Sequence, residues 1–71
     1  MNQHDRAIMS IKHITAKGYA CQADIAREAG VDPGTISSVI HRRHTPRAYI
    51  TGRIIAACRR IEERGGLAED E

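Results

Sequence analysis

Along this chain the aliphatic residues return every three or four positions, the period of a helix with one buried side, and no segment alternates apolar and polar residues as a strand would. Ile8, Ile11 and Ile14, joined by Ala7 and Thr15, predict a first helix over 4–17. Asp5 stands near its positive end, Lys12 and Lys17 toward its negative end, and Gly18 stops it. Ile25, Ala26 and Ala29 predict a short second helix over 22–29, stopped by Gly30. Val31 follows as an apolar plug. Asp32-Pro33 then opens a third helix over 33–42, the carboxylate capping free backbone N–H groups and the proline sitting where no hydrogen bond is lost. Ile36, Val39 and Ile40 are its inner residues. The chain leaves it through a loop from His41 to Pro46, because Pro46 turns Thr45 away from helical geometry. Ile50, Ile54, Ala57, Cys58 and Ile61 predict a fourth helix over 48–64, weakened at Gly52 and ended by Gly65-Gly66.

The expectation is an all-α, compact four-helix domain over 1–66, with 67–71 as an acidic flexible tail. Seventy-one residues leave no room for a second core. With two tyrosines and no Phe or Trp, the ten isoleucines and ten alanines carry the packing. Such a core is thin and builds no enclosed active-site cavity. No apolar run is long enough for a membrane span or a secretory signal. Cys21 and Cys58 stand alone, without the spacing of a zinc site or a disulfide framework, so a reducing cytoplasm is the expected compartment.

Net charge is only +2, but it is unevenly spread. From Pro33 to Arg60 the chain holds Arg42, Arg43, Arg47, Arg53, Arg59 and Arg60, with His41 and His44 and no acid. Glu62, Glu63, Glu69, Asp70 and Glu71 all come after. That distribution fits a basic face meeting a polyanion, with an acidic tail kept off it.

The segment 22–41, QADIAREAGVDPGTISSVIH, has the spacing of two short helices crossing at a steep angle. Ala26 is the small residue at the approach, Gly30 tolerates the left-handed turn, and Ile25, Ala29, Val31, Ile36 and Val39 form the inner faces. These residues resemble the helix-turn-helix of bacterial and phage DNA-binding proteins. Thr35-Ile36-Ser37-Ser38-Val39 is similar to the recognition helix of lactose-repressor-type headpieces. A helix before the motif and one after it are closer to the lambda-repressor-like domain, and the size to small Ner-like phage regulators. The match spans about 20 residues, and the last helix of a full lambda-type domain has no counterpart.

The resemblance implies that the third helix enters the major groove. It implies base contacts from Pro33, Gly34 and Ser38, phosphate or groove-edge contacts from Thr35, Ser37 and His41, and a phosphate contact from Gln22. Pro33 and Gly34 stand where long base readers are usual. Proline suits a thymine methyl and glycine a close backbone approach, but neither forms bidentate bonds to bases. Readout from this helix is therefore sparse, and His41, Arg42, Arg43, His44 and Arg47 are expected to carry affinity and some specificity through phosphates or a narrow minor groove.

Other chemistry fits poorly. His41 and His44 lack further metal ligands, and His4 and His13 read as surface residues of the first helix. Ser37 and His41 have the spacing of a nucleophile and base, with no carboxylate to orient the imidazole. No catalytic residue, metal or cofactor is expected. A single helix covers too few base pairs to select one genomic site, so a dimer on a palindrome is expected, with Tyr49, Ile55 and Leu67 as its candidate surface. The sequence thus points to a phage or prophage repressor that acts by occupying a promoter on double-stranded DNA. The alternative is a helical protein-interaction module, an antitoxin-like adaptor with an acidic partner.

Overall fold

The computed structural model describes residues 2–43 and 45–66, and over them the protein is all helical. Four helices follow in order: α1 (Gln3–Ala16), α2 (Gln22–Ala29), α3 (Pro33–Ile40) and α4 (Ala48–Glu63). Helix α1 packs along α4, α2 lies against both α3 and α4, and α3 rests chiefly on α2 and also on α1. Helices α1 and α4 run in the same direction. Their first turns meet beside the 42–47 connection, and His13 Nε2 near the end of α1 donates to Glu62 Oε2 near the end of α4 at 3.1 Å.

The core follows the aliphatic period closely. Ala7, Ile8, Ile11 and Ile14 of α1, Ile25, Ala26 and Ala29 of α2, Ile36 and Val39 of α3, and Ile54, Ala57, Cys58 and Ile61 of α4 are buried together. Tyr19, Val31, Ile40, Ile50 and Ile55 pack half-buried against this cluster. Thr51, 2% exposed, sits within the buried stripe of α4, and its hydroxyl is satisfied locally, Oγ1 donating to the Ala48 carbonyl at 2.9 Å.

The helix starts follow capping chemistry. Asn2 Oδ1 accepts from the Asp5 N–H at 2.8 Å, so α1 begins one residue earlier than its apolar spacing suggests. Cys21 opens α2, where the Asp24 carboxylate reaches back to accept from the Cys21 N–H at 3.4 Å and its Sγ at 3.3 Å. Asp32 accepts from the Gly34 N–H at 3.0 Å, with Pro33 in the first turn of α3.

The helix ends share one device. Each closes with a pair of backbone bonds around a residue in the left-handed region: Tyr19 N to Ile14 O and Gly18 N to Thr15 O, Val31 N to Ala26 O and Gly30 N to Arg27 O, Gly66 N to Ile61 O and Gly65 N to Glu62 O. In α3 the pair is Arg43 N to Ser38 O at 3.1 Å and Arg42 N to Val39 O at 3.3 Å. Here the left-handed residue is Arg42, at φ 55°, the one such non-glycine among the described residues. A side chain in that conformation costs on the order of 1 kcal/mol. This turn also corrects the length of α3: the helix ends at Ile40 rather than 42, because the chain reverses its handedness at Arg42.

Candidate nucleic-acid interface

Helix α3 is eight residues long, and its two sides differ sharply. Ile36 and Val39 face the core. On the other side Pro33 and Gly34 are exposed, Ser37 and Ser38 half-buried and His41 exposed, with Thr35 half-buried at the edge. Neither serine hydroxyl bonds another described group. The exposure of Pro33, Gly34 and His41 leaves this side open to solvent. Gly34 has a local reason as well: a Cβ there would stand 2.8 Å from Asp32 Oδ2, the oxygen that caps the helix. A side chain there would require that carboxylate to shift.

The connection between α2 and α3 is three residues, Gly30 to Asp32. Gly30 holds φ 73°, and Val31 N–H donates to the Ala26 carbonyl at 2.9 Å. The side chain of Val31 then packs on the core, fixing the angle at which α3 leaves α2. Gln22 is exposed at the first residue of α2, free of side-chain hydrogen bonds to described residues.

The cations divide into two groups. Arg27 pairs with Asp24 on its own helix at 3.0 Å. Arg60 and Arg64 of α4 both reach Glu28 of α2, at 2.9 and 3.1 Å, and Arg60 also donates to the Glu28 carbonyl at 3.1 Å. Those two guanidinium groups therefore clamp α4 to α2 and hold the Glu28 carboxyl below its ordinary range, Arg60 contributing most. Arg53 lies over the Tyr49 ring, 5.7 Å from its centroid. Of the basic run, Arg42 and Arg43 stand in the closing turn of α3, and Arg47 follows at the start of α4. All three are exposed. Arg43 and Arg47 have no carboxylate partner among the described residues. Arg42 does: its Nη2 donates to Asp5 Oδ1 across the gap to α1, which lowers the Asp5 pKa. His44, also expected at this end, lies outside the described residues.

His4 proves to be more than a surface residue. Its ring is half-buried, and Nε2 donates to the Val39 carbonyl at 3.0 Å, tying the first turn of α1 to the last turn of α3. Periodicity places His4 on an exposed flank only if α1 is considered alone, so no signal in the chain announces the contact. His13 is exposed as expected. A cleft of about 410 Å³ opens between the first turns of α1 and α4, lined by Gln3, His4, Arg42, Thr45, Pro46 and Thr51 among others.

A second groove, about 390 Å³, runs between α1 and α4. Met9, Ile14, Ile55 and Cys58 form its apolar part, and Arg6, Arg59, His13 and Glu62 its rim. At 3.6 residues per turn, Arg6, Met9 and His13 fall on the flank of α1 opposite His4 and Ile8, so this groove faces away from α3. Tyr49 is 58% exposed but stands a third of a turn from Ile55 on α4, and the two do not share a face. Leu67 lies outside the described residues. Burial pushes the Cys58 thiol up to about 11, with Glu62 adding to the effect. No group of three or more His, Cys, Asp or Glu side chains able to hold a metal ion occurs among the described residues, and none of their helices is long and apolar enough to cross a membrane.

Comparison of the chain with protein-family profiles, with curated proteins and with solved structures found no match.

Proposed function

We propose that this protein is a sequence-specific double-stranded DNA-binding regulator of the helix-turn-helix class, acting in the cytoplasm. The observation that carries the reading is the open outer side of α3, closed by Arg42 and Arg43 and followed along the chain by Arg47, with no described acid paired to the last two. A major groove admits one helix, and guanidinium groups at its end meet the phosphates on the groove wall. In this reading Pro33, Gly34 and Ser38 face base edges. Thr35, Ser37 and His41 lie toward the groove edge, and Gln22 stands at the start of α2 where a phosphate would pass. Arg43 and Arg47 supply most of the affinity, because the helix itself offers only small side chains.

The resemblance of segment 22–41 to small phage regulators makes a phage or prophage repressor the favoured role, with repression by promoter occupancy. Sparse base readout argues for two copies on a palindrome, with half-sites about 34 Å apart or a multiple of that. Ile55 and Met9, on the flank turned away from α3, are the residues best placed for a second copy that leaves α3 free. The same groove favours the second reading, a helical protein-interaction module. Met9 is 56% exposed, and an apolar groove with Arg6 and Arg59 on its rim suits an acidic partner.

Selection of bound sequences from a random duplex pool tests the proposal. An enriched palindrome is the expected result. Binding that fails to enrich any sequence and does not weaken as salt rises would favour the protein-interaction reading instead.

A further inference from the structure

We infer that Asp5 is a positioning residue for Arg42, holding its guanidinium at the C-terminal end of α3 as a phosphate ligand. This rests on the DNA-binding reading above. The starting point is the anomaly in backbone chemistry. Three helices end on a glycine in the left-handed region, and the fourth ends on Arg42 at φ 55°. Glycine would serve the same pair of backbone bonds without strain. A residue that breaks the local rule needs a side chain that is wanted at that point.

The fold itself makes little use of this side chain. Arg42 is 57% exposed, and its one ionic contact among the described residues, to Asp5, lies in the open, where ion pairs stabilise a fold only weakly. The guanidinium engages Asp5 through Nη2 alone, leaving its other donors free of described partners. The left-handed backbone launches the side chain toward α1, and Asp5 fixes its far end 37 positions away in sequence. His4, the neighbour of Asp5, holds the same turn of α1 to the Val39 carbonyl. A planar cation fixed on one edge and open on the other is prepared for a phosphate oxygen, because its rotamer freedom is already spent before the ligand arrives. Competition between Asp5 and a phosphate for the same donors is the opposite possibility, and it predicts the opposite sign.

A double-mutant cycle on one mixed-sequence DNA duplex at low salt reads the difference. Arg42→Ala should weaken binding by roughly three- to tenfold and lower the magnitude of the slope of log K against log[salt] by about 1. Asp5→Ala should weaken binding about threefold with the slope unchanged, and should have no further effect when Arg42→Ala is present. Asp5→Asn replaces it if the alanine variant loses helicity. Arg42→Gly should bind as weakly as Arg42→Ala while unfolding at a higher temperature than Arg42→Ala, by roughly 2–6 °C. Tighter binding by Asp5→Ala, an equal loss in both backgrounds, or wild-type binding by Arg42→Gly would each overturn the inference. A wild-type protein with no salt-dependent duplex binding would overturn the DNA reading itself, and it is recognised from the wild-type titration alone.

Discussion

Arg43 and Arg42 are neighbours in sequence with opposite circumstances, and a single pair of variants separates them. Arg43→Ala removes a cation with no carboxylate beside it, so duplex binding should weaken and the salt slope fall in magnitude by about 1, with the melting temperature unchanged. Arg60→Ala removes a cation already committed to Glu28; it should lower the melting temperature and leave the salt slope alone. The two cysteines differ just as clearly. Cys21 is exposed at the start of α2, whereas Cys58 is buried with its pKa raised to about 11. A thiol reagent at neutral pH should label Cys21 in the native protein and both residues only in denaturant, which mass spectrometry of the labelled chain will read.

At the scale of elements, the α2–α3 turn is the part whose geometry the proposed function needs most. Gly30→Ala introduces no clash, since nothing stands within 4 Å of an added Cβ, so its effect is that of the backbone alone. The variant should lose about 1 kcal/mol of stability by chemical denaturation. Asp32→Ala removes the oxygen bonded to the Gly34 N–H and should cost a similar amount, about 1 kcal/mol. These elements were readable in the chain because their signals are local. A glycine after an apolar period, an aspartate before a proline and a threefold or fourfold spacing each act within a few residues. The end of α3 was not readable, because an arginine in a left-handed turn has no signature in a pattern that reserves that place for glycine. The loop expected from His41 to Pro46 overlapped the expected helix at 41 and 42, and the structure gives those two residues to the turn.

For the whole molecule, the thinness of the core sets the response to damage. Ile54 is fully buried at the centre of α4, and Ile54→Ala should cost about 2–5 kcal/mol, most of what a domain this small possesses. Its far-ultraviolet circular dichroism at 25 °C should report a largely unfolded chain. Acid acts on three carboxylates at once. Asp5, Asp24 and Glu28 all have lowered pKa values through bonds to Arg42, to Cys21 and to Arg60 respectively. A carboxylate held low in the fold contributes stability that is present above its unfolded pKa and lost as pH falls through the folded one. The melting temperature should therefore hold down to about pH 5 and fall below about pH 4, a decline made shallower in Glu28→Gln.

The sequence by itself determined the four helices, their buried faces and the turn at Gly30, because helix period, caps and glycine stops are short-range chemistry. It also marked Pro33, Gly34, Ser37 and Ser38 as the outward side of α3. What only the tertiary structure decided is which cations are available. Six arginines between Pro33 and Arg60 look like one basic run, yet Arg60 is drawn to Glu28, Arg53 to Tyr49 and Arg59 to the α1–α4 groove. Arg42 and Arg43 remain beside α3 and Arg47 follows at the start of α4, and Arg42 is braced by an aspartate in the first helix. Ion pairs depend on distance through space, and that distance is set by how helices cross, so no reading of neighbours along the chain can assign them.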